Sequence, residues 1–294
     1  MALPGFGRPP AYYFIWILPR NSFNRLCGLV ADAQLPRFLL TLLIRLFSWK
    51  YGVNLKEASK QVSEYRNFNE FFTRKLLPDA RTLDPDTEAV LSPVDGILGE
   101  SGFINNGVLI QAKGLEYRLA DLLKDPERTK FYDGGVFITI YLAPYNYHRI
   151  HSMVSGEVRE FCYFPGDLWT VSPLGVHLVP GLFARNERLI TYFKTEKGEC
   201  ALVKIGATVV GRIRVVYHDI TSNRPGAAFQ KIVLTSPFRV ERGDEVGLFE
   251  LGSTVICLFP PGQIELNELK IEQEILLGQA IGRFSRIHQD EIKT

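Results

Sequence analysis

From about residue 88 onward the chain is written in short runs rich in Val, Ile, Tyr and Phe, set off by Gly, Pro, Asn and Asp. That punctuation dictates extended structure, because β-branched and aromatic side chains fit a pleated, half-buried surface and the separating residues favour turns. The spacing predicts strands over 90–100, 107–113, 136–141, 156–164, 188–193, 200–206, 211–217, 231–235 and 254–259, with one helix, 115–123, among them. The texture before residue 80 is different. Residues 35–49 place Leu35, Phe38, Leu39, Leu42, Leu43, Leu46 and Trp49 in one stripe and Arg37, Thr41, Arg45 and Ser48 on the other side, the pattern of an amphipathic helix. Residues 54–64 continue as a helix, and 67–76 form a short apolar-and-basic element ending at Pro78. The expected class is α+β: an amphipathic helical N-terminal region, 1–80, on a mostly-β body, 81–294.

Charge is unevenly placed. Residues 1–52 carry Arg8, Arg20, Arg25, Arg37, Arg45 and Lys50 against Asp32 alone, although the whole chain has a net charge of only +2. So small a total excludes a strongly basic nucleic-acid binder. A basic end rich in Tyr, Phe, Trp and Leu points instead to an anionic phospholipid membrane surface. Neither Pro9–Pro19 nor Phe38–Ile44 reaches the roughly 20 apolar residues of a membrane span, and no small-residue cleavage site follows Tyr12–Trp16. The expectation is a peripheral protein that lies on the membrane, at its cytoplasmic face. The four cysteines, Cys27, Cys162, Cys200 and Cys257, show no C-x-x-C spacing, which argues against a zinc ribbon or a disulfide framework and for a reducing compartment.

Three local features carry possible chemistry. His148 and His151 sit three apart, after Pro144 and Asn146, where a turn would bring both imidazoles to one cleft. The pair invites a zinc reading, but neither His nor Cys lies close by as a third ligand. Asp95, in Ser92-Pro93-Val94-Asp95-Gly96, is framed as a turn and gains interest where a histidine needs a carboxylate. Ser253 follows Gly252 at the head of an apolar run, with no helix behind it, so it does not match the nucleophile elbow of a serine hydrolase. A Gly-Ser bond offers other chemistry: given a base, the hydroxyl can attack the carbonyl that precedes it. Singly, each feature is also explained by ordinary loop and turn structure. The hairpin 242–247 leading into Gly252-Ser253-Thr254 also looks like a turn of a non-catalytic barrel-sandwich carrier module, which would have no use for Asp95 and the histidine pair.

In combination the motifs resemble one family. Phe68-Asn69-Glu70-Phe71-Phe72-Thr73-Arg74, Ser92-Pro93-Val94-Asp95-Gly96, Tyr147-His148-Arg149-Ile150-His151, Phe164-Pro165-Gly166-Asp167-Leu168, Leu182 through Arg188 and Leu251-Gly252-Ser253-Thr254 occur in the order found in bacterial, membrane-associated, pyruvoyl-dependent phosphatidylserine decarboxylases. One departure is Ser152-Met153-Val154-Ser155-Gly156, where the family often has Pro and Asx before the Gly. The resemblance implies a proenzyme that cuts itself between Gly252 and Ser253 into a β chain, 1–252, and an α chain, 253–294. It implies an autoprocessing triad of Asp95, His151 and Ser253, with Asp95 orienting His151, and a covalent pyruvoyl cofactor made from Ser253 that forms a Schiff base with phosphatidylserine. His148 would serve decarboxylation and reprotonation. A homodimer of such α/β pairs, no metal and no nucleic-acid partner are the further expectations. The apolar segment 161–169 is the candidate cover for the acyl chains.

Overall fold

A computed structural model describes residues 20–112, 115–208, 212–250 and 253–285. The aromatic run 12–16, Gly252 and His288 therefore lie outside the described residues.

Two helices open the described chain, Arg20–Asp32 and Arg37–Tyr51. The second begins after Pro36, whose fixed φ suits a helix start, and ends at Gly52 in the left-handed region with φ 74°. It buries Leu40, Ile44 and Ser48, so Ser48 belongs to the inward side and not to the polar face expected of it. The apolar stripe faces outward instead: Phe38 is 72% and Trp49 84% exposed, and Leu39, Leu42, Leu43 and Leu46 are exposed with them.

Residues 54–64 do not form the predicted helix. They make two separate 3₁₀ turns, Leu55–Glu57 and Val62–Glu64, neither with a fully buried side chain. Between them the backbone turns outward to pair with the segment near Leu76: Ser59 N donates to Lys75 O and Leu77 N to Glu57 O. With no face to bury, a helix there has little to offset its nucleation cost. Phe68–Phe72 is a short helix whose first turn is capped by Asn67, which accepts from Glu70 N at 2.8 Å.

An eight-stranded antiparallel sheet forms the body. Its order is Gln230–Val240, Gly156–Phe164, Arg188–Thr195, Gly198–Ile205, Ser253–Phe259, Val136–Leu142, Gly96–Phe103 and Glu274–Ile275. Alternate residues of each central strand feed two cores on opposite faces, as the period of two requires: Val255, Cys257 and Phe259 on one, Ile256 and Leu258 on the other. A four-stranded sheet, His218–Thr221, Arg212–Val215, Glu245–Glu250 and Arg149–His151, packs beside it.

Predicted strands 136–141, 156–164, 188–193, 200–206 and 254–259 form with shifts of one or two residues. The 231–235 run is part of a longer strand, and 90–100 is broken at residues 92–95 into Ala89–Leu91 and Gly96–Phe103. The predicted helix 115–123 divides into a strand, Leu115–Arg118, and a helix, Leu119–Leu123. Segment 161–169 is core and not a cover: Phe161 and Tyr163 point into one core, Cys162, Phe164 and Trp169 into the other.

Candidate active site

Ser253 begins the Ser253–Phe259 strand, one of the inner strands of the large sheet. Its Cα partner is Leu142, and on the other side the next residue, Thr254, faces Ile205. The side chain is fully buried and its Oγ has no hydrogen-bond partner. Leaving a hydroxyl unsatisfied in the interior is costly, so its placement calls for an explanation. Just upstream, Glu250 is fixed by Arg212 and by Arg214, whose Nε lies 2.7 Å from the carboxylate. Arg212 also pairs with Asp32 at the end of the first helix, which ties the approach to Ser253 to the helical front.

The histidine segment reaches the same place through the smaller sheet. The predicted turn forms at Pro144–Asn146, where Asn146 N donates to Ala143 O, but by Arg149–His151 the chain is a strand, which pairs antiparallel with Glu245–Glu250, the strand that runs toward Ser253. Phe249 N donates to the carbonyl of His148 at 2.9 Å. His151 N donates to Pro93 O at 2.8 Å, bringing the Asp95 turn against the same edge. Segments far apart in sequence are thus closed on one another by backbone pairing, which fixes position more tightly than side chains alone. Gly96 is required where that turn enters its strand, since a Cβ there would stand 2.5 Å from the carbonyl oxygen of Tyr141.

Each imidazole has its own surroundings. The Nδ1 of His151 lies 2.6 Å from the carbonyl oxygen of Gly243, a residue held at φ 89° in the 241–244 turn. A carbonyl only accepts, so Nδ1 carries the proton and the Nε2 lone pair is left for the hydroxyl of Tyr147, 3.1 Å away. Burial lowers the pKa of His151, partly opposed by the Gly243 carbonyl and by the charges of Glu245 and Asp95. Asp95 is not the hydrogen-bond partner of this ring, contrary to the orienting role expected of it. Its buried carboxylate accepts from Arg81 Nε at 2.9 Å, from Arg81 Nη2 at 2.5 Å and from Leu277 N at 2.8 Å. The short turn 92–95 aims the carboxylate at the arginine, while the strand aims His151 at the 243 turn.

His148 is fully buried. Its Nδ1 donates to the carbonyl of Asn146 at 2.8 Å, its Nε2 has no partner, and the ring packs on Phe72 with centroids 4.1 Å apart. Burial pushes its pKa down to about 3, so the ring is neutral near pH 7.

Phe72 and Ser253 both line a cavity of about 640 Å³ between the helical front and the sheet. Leu26, Val30, Leu43 and Phe47 form the helical wall; Tyr141, Leu142 and Thr170 belong to the body. The cavity is overwhelmingly apolar, and among the described residues no charged side chain lines it. A buried, unpartnered Ser253 at the head of a rigid strand, open to an apolar cavity, fits a carbonyl group derived from that residue. Sequence reasoning did not single out Arg81, Tyr147 or Gly243, although Tyr147 lies inside one of the family motifs.

The sequence profile described as "Phosphatidylserine decarboxylase" matches residues 68–283. The phosphatidylserine decarboxylase proenzyme of Anaeromyxobacter sp. (strain K) is 42% identical over 270 residues, 90% of this chain and 95% of that protein. The proenzyme of Myxococcus xanthus (strain DK1622) is 39% identical over 269 residues, with the same shares covered. That of Brevibacillus brevis is 41% identical over 268 residues, 90% of this chain and 94% of its own length. The chain thus belongs to the phosphatidylserine decarboxylase family.

Proposed function

We infer that this chain is the proenzyme of a pyruvoyl-dependent decarboxylase that converts phosphatidylserine to phosphatidylethanolamine at an anionic membrane surface. The observation that carries this reading is the placement of Ser253, buried and unpartnered, against an apolar cavity and a few residues beyond the Glu245–Glu250 strand that pairs with the histidine segment.

Self-cleavage starts at Ser253 Oγ, with His151 Nε2 as the base. Tyr147 occupies that lone pair in the uncleaved chain, so the step begins by exchanging this hydrogen bond. Asp95 acts on His151 through its charge rather than through a hydrogen bond. Attack of Oγ on the Gly252 carbonyl breaks the Gly252–Ser253 amide and forms an ester. Loss of the Ser253 α-proton then expels the Gly252 carboxylate, and water replaces the resulting imine nitrogen, releasing ammonia and leaving a pyruvoyl group at position 253. The two chains, 1–252 and 253–294, stay joined because Ser253–Phe259 keeps a hydrogen-bonded neighbour on each side.

In the mature enzyme the pyruvoyl group supplies the carbonyl electrophile and electron sink for decarboxylation. His148, neutral and with Nε2 free of partners, handles the proton at the reacting centre. The apolar cavity takes the lipid portion nearest the headgroup, and the outward stripe of Arg37–Tyr51 lies on the bilayer. Among the described residues no helix is long and apolar enough to cross a membrane. The exposed apolar face of Arg37–Tyr51 is what supports attachment at the surface. A homodimer is the assembly the family resemblance suggests, and sedimentation of processed protein tests it.

A denaturing gel with intact mass tests the cleavage reading. Fragments of 252 and 42 residues, the smaller with a blocked amino terminus, are expected, together with phosphatidylethanolamine formation from phosphatidylserine vesicles. An intact 33.3 kDa chain that forms no product overturns the proposal.

A further inference from the structure

The segment Phe68–Arg74 builds the seat of His148. Phe72 covers one face of the ring. Thr73 offers its carbonyl to Arg149 Nε at 2.9 Å, which holds the residue after His148. Arg74, only 4% exposed, sends Nη2 to the carbonyls of Tyr145 at 3.0 Å and Asn146 at 3.4 Å. The Asn146 oxygen is the same atom that receives the His148 Nδ1 proton. Arginine and histidine therefore share one acceptor, and the arginine fixes where that acceptor points.

Charge adds to geometry. Among the described residues Arg74 forms no ion pair, and its Nε and Nη1 are buried without partners. A buried guanidinium with no carboxylate in contact projects its positive field through a poorly screening interior. Of the groups packed around His148, Phe72 is apolar, the Glu245–Glu250 strand meets it through backbone at Phe249, and Arg149 is paired with Glu245 at 2.6 Å. Arg74 is the charged side chain that acts on the ring.

We propose that Arg74 is the positioning residue of His148: by orienting the Asn146 carbonyl and by its unneutralised charge, it holds the imidazole neutral with its proton on Nδ1, so that Nε2 meets the substrate as a hydrogen-bond acceptor. The proposal rests on the decarboxylase reading for its chemistry. The serine headgroup arrives as an ammonium and must lose a proton before its nitrogen becomes a nucleophile. A neutral Nε2 accepts a hydrogen bond from that ammonium and orients it while its proton leaves to water. A histidine already protonated would repel the ammonium instead.

The test is ¹⁵N NMR of the histidine side chains in the uncleavable Ser253→Ala chain, with His148→Gln assigning the signal. With Arg74 present, His148 shows one tautomer, protonated at Nδ1, and no protonation down to pH 5. Arg74→Met should give a mixture of tautomers at pH 8 and a protonation midpoint moved upward from that of the parent chain, read by carrying both titrations below pH 5. Arg74→Lys, which keeps the charge, should hold the pKa near the original. If Arg74→Met does not fold, Arg74→Gln carries the same comparison. A single Nδ1-protonated tautomer and an unmoved pKa in the uncharged variant overturn the proposal. On processed enzyme the acid limb of the decarboxylation profile should move up with the same substitution. These NMR results need neither cleavage nor substrate, so they stand or fall apart from the decarboxylase reading, which fails instead if processed wild-type protein forms no phosphatidylethanolamine.

Discussion

Arg81→Met removes the cation that holds the Asp95 carboxylate. In the native chain that carboxylate is 3% exposed and takes two nitrogens of Arg81, with the Leu277 amide as its remaining donor. Two charges about 4 Å apart at an effective dielectric near 20 attract by about 4 kcal/mol, and stripping one partner from a buried pair typically costs about 3–5 kcal/mol. The Arg81 side chain retains 13% exposure and is also shared with Glu57 at 2.9 Å, so the lower end of that range applies. The expected loss is therefore about 3 kcal/mol, read by urea unfolding of the Ser253→Ala chain so that cleavage does not complicate the transition. Asp95→Asn alone should cost less, because Arg81 keeps Glu57 and the oxygen of the new side-chain amide can still accept from Leu277 N. The double variant should cost less than the sum of the two single changes, with a coupling of about 2 kcal/mol. In chains that retain Ser253, both Asp95→Asn and the double variant should fail to cleave even where stability is regained. A coupling near zero, or rapid cleavage in the double variant, would refute the assignment of Arg81 as the partner that prepares Asp95.

Three further outcomes follow from the same geometry. Ser253→Ala should stay a single chain on a denaturing gel, whereas His148→Gln should still cleave yet form no phosphatidylethanolamine; equal loss of cleavage in both would remove the division of labour between the histidines. Phe38→Ala with Trp49→Ala should leave the melting temperature within about a degree but weaken binding to anionic vesicles by roughly ten-fold or more, because exposed rings contribute to the folded body little and to a bilayer about 1–2 kcal/mol each. Lys204 is fully buried against Thr191, and burial brings its pKa down from 10.5 to about 7. The unfolded chain holds the extra proton between those values, so stability should climb between pH 7 and pH 9.5 by up to about 1.4 kcal/mol per unit, and Lys204→Met should abolish that climb in urea titrations.

The short runs of Val, Ile, Tyr and Phe after residue 88 are enough to announce a β body, because a strand buried on both faces needs little beyond its own residue types to be recognised. The amphipathic stripe of 35–49 is equally legible, since helical periodicity is local. Ser253, Asp95 and the two histidines stand out as chemistry-bearing residues, and the order of the motifs along the chain is sufficient to join them into one family set. What periodicity cannot tell is which partner each side chain meets. The outward direction of the stripe depends on Leu40 and Ile44 being the better fit to the helical core with Tyr65 and Phe71. The burial of Phe161 and Trp169 depends on which cores the sheet places on its two faces. Asp95 meets Arg81, and His151 meets Gly243 and Tyr147, because strand pairing between segments far apart in sequence sets those directions. A residue's chemistry is written in its type, but its hydrogen-bond partner, its burial and hence its proton affinity are properties of the tertiary contacts that close around it.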